Sequence, residues 1–455
     1  MKMRLHQGNK DNEGLYPAPY GVCATFLALT LALTADSADL PFLLPDDLVG
    51  PKGIVLEAQL PQHTTVLIPK NADRPKLWYA PVAAEPVKNG ARVWYQRVNS
   101  AEKEYSDHRT LCVGEIRDGA WRLLPVDTTP PAWGGVNNVC LRRSPFKATW
   151  GGFNVFQIIR GSDGCHMLYW DQPDEKGKAG GMLAYSADGL KWEKSAGTVF
   201  TEYNDAFTLT SDSEGYLLYQ TCLEDWPDKP YPDNLDKKRR VQSIRRSKDL
   251  RTWTAQDVFL RPDAQDKPET EFYLLKTFQN GGATLGLLMK YLADPALPKK
   301  HSAIMPCELI VARDATHWER PFRNLDLGFW SYADPVLING ELTFVFWKDG
   351  GMNAASYSPN RFVAAVAGSE IGVFMTKPFQ YSRSLSLDAD ASKGRIEAEL
   401  LSASGEVVKG APPIRIEGKE GTRLPLGFAG GQEEPKQCRI RFKMKNARVF
   451  AIGLN

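Results

Sequence analysis

The 455-residue chain predicts an all-β protein: a five-bladed β-propeller followed by a small β-sandwich. Three observations carry that prediction. A strand–turn–tryptophan unit recurs through the middle of the chain. Hairpins of alternating apolar character precede the copies. The composition is rich in turn formers and aromatics, with 38 Gly, 31 Pro, 12 Trp, 16 Tyr and 20 Phe, and helical periodicity is nearly absent.

The repeat is read from three segments: "GGMLAYSADGLKWEKS" at 180–195, "RRVQSIRRSKDLRTWTAQ" at 239–256 and "CELIVARDATHWERP" at 307–321. Each runs as a short strand, a small or polar residue, then Asp, three residues and Trp. The pairs are Asp188/Trp192, Asp249/Trp253 and Asp314/Trp318; a fainter copy has Asp118 and Trp121 one residue closer. An Asp in a tight turn accepts backbone N–H bonds, so these carboxylates belong to turns and not to chemistry. Strand pairs around Gly or Asn turns come before the units, as in "KLWYAPV" with "RVWYQRV", "DAFTLTSDSEGYLLYQT" and "DPVLINGELTFVFW". About four strands in about 65 residues, repeated five times, is the pattern of radially arranged blades. The tail differs: "RSLSLDADASKGRIEAELLSASGEVVKG" and "QCRIRFKMKNARVFAIGLN" alternate as strands of a sandwich. The expected division is residues 39–380 for the propeller and 381–455 for the sandwich.

Residues 1–38 read as an export signal. Val22 to Leu33 is an uncharged apolar run of 12, preceded by Lys2, Arg4 and Lys10 and followed by small residues around Ser37 and Ala38. Such a run is too short to cross a bilayer, which takes about 20 apolar residues. The mature chain is therefore expected to be secreted or periplasmic, with no membrane partner after cleavage. The 56 Lys and Arg against 54 Asp and Glu give a net charge of +2, which does not suit a nucleic-acid partner. Cys23 lies in the leader, and the other six cysteines form no CxxC. The six histidines have no metal-ligand spacing, so no metal or cofactor is expected.

In a radial arrangement the starts of the inner strands face one another. The third unit begins "TEYNDAF", with Asn204 and Asp205; the fourth begins "DKPETEFY", with Glu269 and Glu271; the fifth begins "GFWSYADP", with Trp330, Tyr332 and Asp334. Carboxylates converging beside aromatics suit glycoside cleavage. One acid protonates the leaving oxygen and a second attacks or activates water. Asp205, Glu271 and Asp334 are the candidate catalytic groups. Glu271 is the candidate general acid, because Phe272 and Tyr273 are expected to desolvate it. Asn204, Glu269, Tyr273, Trp330, Tyr332, His63, His166 and Arg240 are candidate substrate contacts.

The units "YSADGLKWEKS", "SKDLRTWT" and "ARDATHWERP" resemble those of five-bladed propeller glycoside hydrolases, the relatives of glycoside hydrolase families 32 and 43. With the "MTKPFQYSRSLSLDADASKGRIEAELLSASGEVV" tail, the chain looks like a secreted bacterial group that ends in a β-sandwich. That resemblance implies hydrolysis of an O-glycosidic bond in an oligo- or polysaccharide. It departs from families 32 and 43 at two places. The first inner strand, with Glu57 and His63 near it, has no Asp, and the second offers Asn154. A propeller that binds carbohydrate without cleaving it is the alternative expectation.

Overall fold

The computed structural model describes residues 39–148, 152–201, 205–235, 237–294, 296, 303–428 and 435–454. The expected export signal and Asn204 lie outside the described residues. The described chain is all-β: it has strands and two short 3-10 turns, Pro45–Asp47 and Tyr105–Asp107, and no α-helix.

Five antiparallel sheets follow one another along the chain. Sheet I contains Leu77–Val87, Gly90–Asn99, Arg109–Arg117 and Ala120–Leu123, with Val139–Arg142 beside its third strand. Sheet II runs Asn154–Arg160, Cys165–Asp171, Gly180–Ser186 and Glu193–Lys194. Sheet III runs Phe207–Asp212, Gly215–Asp225, Lys238–Ser247 and Asp257–Leu260, and sheet IV runs Thr270–Asn280, Ala283–Leu292, Cys307–Ala312 and Trp318–Glu319. Sheet V takes Val336–Ile338, Glu341–Lys348 and Gly351–Tyr357, and its outermost strand is His63–Ile68, from far upstream.

Alternation along each strand sends apolar side chains to both faces, and each face is buried against the next sheet. Val82 and Trp94 meet Phe153 and Tyr169 between sheets I and II. Phe156 and Trp170 meet Phe207 and Leu218 between II and III, and Tyr219 meets Phe272 and Leu288 between III and IV. Leu274 and Phe278 meet Phe344 and Tyr357 between IV and V. Val345 and Met352 of sheet V then pack on Val93 and Tyr95 of sheet I. Packing thus links the five sheets in a cycle. The first strands of I and II, II and III, III and IV, and V and I lie against one another, so these strands face the middle.

The Asp turns form as the repeat requires. Asp188 Oδ1 accepts the N–H groups of Leu190 (2.8 Å) and Lys191 (3.2 Å); Asp249 Oδ1 accepts those of Arg251 (2.8 Å) and Thr252 (2.7 Å); Asp314 Oδ1 accepts those of Thr316 (2.8 Å) and His317 (2.9 Å). The Trp192, Trp253 and Trp318 indoles each donate to the carbonyl three residues back.

Two six-stranded sheets share a separate core of Phe42, Phe374, Leu387, Ile396, Ile440, Phe442 and Val449. They recruit strands from both ends of the chain: Leu40–Pro41, Leu48–Lys52 and Val55–Ala58 pair with strands between Val363 and Gly453. The expected division at residue 380 therefore cuts through these sheets, since Val363–Ala367 and Gly372–Thr376 belong to them. Pairing partners 300 or more residues apart leave no local pattern to read.

Candidate functional site

Asp205 stands just before the first strand of sheet III. Its Oδ2 accepts the Gly152 N–H at 3.1 Å and the Asn154 side-chain amide at 3.0 Å, both at the entry to the first strand of sheet II. Arg109, which opens the third strand of sheet I, donates to Phe153 O (2.9 Å) and Asn154 Oδ1 (2.8 Å). Asn154 is thus gripped from one side by a guanidinium and grips a carboxylate on the other. Burial pulls the Arg109 pKa down from its ordinary value, and the charge of Asp205 opposes that pull. Tyr332 joins the group: burial drives its phenol pKa up, and Tyr273, Asp205 and Arg109 are the charged or titratable neighbours that act on it. Its ring meets Trp330 edge-on at 4.4 Å and Phe156 at 5.8 Å.

Asp334 leads into the first strand of sheet V, two residues beyond Tyr332. Gln157, buried on the first strand of sheet II, donates its amide to Asp334 Oδ2. Lys276 Nζ, on the first strand of sheet IV, lies 2.7 Å from Oδ1. The Lys276 side chain is 1% exposed and that of Asp334 47%, so a buried ammonium has its counter-charge on a carboxylate that reaches solvent. Three sheets therefore converge on Asp334.

Glu271 is placed differently from expectation. Its side chain is 0% exposed, and four donors occupy its two oxygens. Lys229 Nζ (2.8 Å) and the Tyr231 hydroxyl (2.7 Å) reach Oε1, and the Arg240 N–H (2.9 Å) and guanidinium (2.7 Å) reach Oε2. Asp233 completes the cluster, 3.0 Å from Lys229 and 3.2 Å from Arg240. Burial and the Glu271 charge push the Tyr231 pKa up. A general acid must touch the leaving oxygen, and this carboxylate has no face left to do so. The sequence showed Phe272 and Tyr273 beside it, but not the cations folded over it by residues 229–240.

The remaining candidates separate. Tyr273 is half-buried and stacks on Tyr291 at 6.3 Å, with the Arg240 guanidinium 5.8 Å from its ring. It links the Glu271 cluster to Tyr332 and Arg109. Trp330 is buried and donates its indole N–H to Leu287 O at 2.9 Å. Arg240 is buried as the partner of Glu271. Glu269 is half-buried in the approach to Thr270–Asn280, and its carbonyl accepts the Ala293 N–H at 3.2 Å. His63 is a correction: its strand is the outermost of sheet V, and its side chain, 67% exposed, lies 3.3 Å from Glu341. His166 is another. It pairs with Ile159 at the far end of the first hairpin of sheet II, opposite the end that holds Asn154, and bonds Asp163 at 3.0 Å. Arg109, Gln157 and Lys276 were not foreseen. For Gln157 and Lys276 the signal was present as polar side chains in the middle of apolar inner strands, "NVFQIIR" and "FYLLKTF"; Arg109 opens the third strand of sheet I and carried no such signal.

No family model matches the chain, and no curated protein matches it. Solved structures with a similar outline include one described as a glycoside hydrolase, at 11% identity and TM-score 0.44, covering 67% of this chain and 93% of that one. A second comes from the GH130 family of mannoside phosphorylases, which contains glycoside hydrolases that target β-1,2-mannosidic linkages in Candida mannan; it is 14% identical with TM-score 0.40, over 70% and 97% of the two chains. A third is a fructofuranosidase from Schwanniomyces occidentalis complexed with fructosylnystose, 7% identical with TM-score 0.40, over 85% and 96%.

Proposed function

We propose that the protein is an exported glycoside hydrolase. In this reading the five sheets are the blades of a propeller, the two six-stranded sheets form a β-sandwich bracing it, and the substrate is a carbohydrate. One observation carries the activity. Asp205 and Asp334, partly exposed carboxylates from sheets III and V, are both anchored on the first strand of sheet II, Asp205 beside Tyr332 and Arg109 and Asp334 beside Lys276. One carboxyl group protonates the glycosidic oxygen, and the other activates water or attacks the anomeric carbon. Their anchors, Asn154 and Gln157, pair with Trp170 and Leu168 across a β-bulge, so they stand about 7 Å apart along the strand. Glu271 holds Lys229, Tyr231 and Arg240 in place and takes no part in proton transfer.

The test is release of reducing sugar from a broad glycan panel by wild type, Asp205→Asn and Asp334→Asn. Wild-type release that falls at least about 100-fold in each variant is expected, the scale of losing a positioned acid or base. Release undiminished in both variants would move the chemistry elsewhere. Binding of a glycan with no release by wild type would make the protein a carbohydrate-binding propeller. That second reading draws on the fact that both carboxylates already have protein partners.

A further inference from the structure

We propose that Trp347, backed by Trp78, is a stacking platform for a sugar ring outside the cleavage point, so that the substrate is an oligo- or polysaccharide. The inference rests on the glycan reading of the site above. Trp347 is the penultimate residue of Glu341–Lys348 in sheet V and is 50% exposed; among the described residues no other tryptophan is exposed. Trp94, Trp170 and Trp330 sink their rings into the cores between sheets, and Trp192, Trp253 and Trp318 fold over the Asp turns.

Alternation explains why this ring is outside. Leu342, Phe344 and Phe346 face the core shared with sheet IV, whereas Val345 faces sheet I, so Trp347 faces sheet I too. Trp78, at the start of the first strand of sheet I, meets its ring, with centroids 5.9 Å apart and planes at 60°. An edge-on contact of this kind leaves ring faces unstacked.

The platform is continuous with the candidate site. Val336 pairs with Thr343, and Ser331 donates its hydroxyl to Val345 O at 2.8 Å, so Tyr332 and Asp334 lie alongside the end of the same strand. Trp347 is two residues past Val345, about 7 Å along the strand. The C–H face of a pyranose or furanose ring is apolar and fits an indole face, while its hydroxyls stay in solvent.

The experiment is titration calorimetry with gluco-, manno-, xylo- and fructo-oligosaccharides of two to six units, on wild type, Trp347→Ala and Trp347→Phe, with hydrolysis followed in parallel. The expected result is a Kd about tenfold weaker in Trp347→Ala, largely restored in Trp347→Phe, and a KM that rises with little change in kcat. Cleavage of aryl monoglycosides, which do not reach the platform, stays at the wild-type rate. Wild-type affinity in Trp347→Ala would overturn the platform while leaving the hydrolase intact. Binding that weakens in Trp347→Ala without hydrolysis by any form would keep the platform and remove the hydrolase. Binding by no form would overturn both, and an effect of Trp347→Ala on self-association alone would make the patch a protein interface and overturn the platform.

Discussion

Two carboxylates near the same inner strands differ by what surrounds them. Asp334 has one buried cation and an open side, whereas Glu271 has two cations, a phenol and a backbone N–H, and no open side. Removing the charge from Glu271 leaves Lys229 and Arg240 buried with less compensation. Breaking a buried pair costs about 3–5 kcal/mol, and Asp233 still pairs with both cations, so Glu271→Gln should lose about 3 kcal/mol. Denaturant unfolding measures this. A variant of unchanged stability that has lost all glycan hydrolysis would return Glu271 to the chemistry.

Among elements, the Asp turns show how one local device is built from different residues. The residue after Asp has positive φ in two of them: Gly189 at 79° and Leu250 at 62°. At the first position a Cβ would fall 2.7 Å from Trp94, so only glycine fits. At the second, leucine accepts the strained backbone, about 1–2 kcal/mol, because its side chain is 3% exposed in the core between sheets II and III, a burial worth about 1.5–3 kcal/mol. Truncation separates the two effects. Leu250→Ala keeps the strain and loses the core contact; Leu250→Gly loses both. The two variants should therefore agree in unfolding free energy within about 1 kcal/mol, although glycine removes more atoms. An alanine variant clearly the more stable would mean that the backbone here is unstrained. These turns were legible because their signal is local: Asp, a turn and Trp within five residues. The polar anchors Gln157 and Lys276 were legible only as oddities in apolar strands, because what they reach lies on another sheet.

For the whole molecule, the decisive pairings are non-local. His63–Ile68 completes sheet V beside Gly351–Tyr357, and the strands just before it belong to the six-stranded sheets, so one segment of chain stitches the two units together. Nothing within His63–Ile68 says that its partner strand lies nearly 290 residues on. Charges reinforce the seam: Asp39 bonds Asn360 and Arg423, and the neighbouring Arg361 bonds Asp388 and Glu420. Unfolding the six-stranded sheets therefore frees the strand that closes sheet V, and the chain should melt in one transition. Asp388 makes that transition pH-dependent. Burial, aided by the charge of Asp39, raises its pKa to about 6 against the pull of Arg361. Between about pH 4 and about pH 6 the folded chain holds a proton that the unfolded chain has released, so stability falls as pH rises through this window and is flat above it. A shift of about two units corresponds to a loss on the order of 3 kcal/mol. Asp388→Asn, neutral at every pH, should lack this fall: calorimetric melts of wild type and variant should diverge from about pH 4 to about pH 6 and run parallel above. Equal slopes in the two proteins would show that Arg361 keeps Asp388 ionised in the fold.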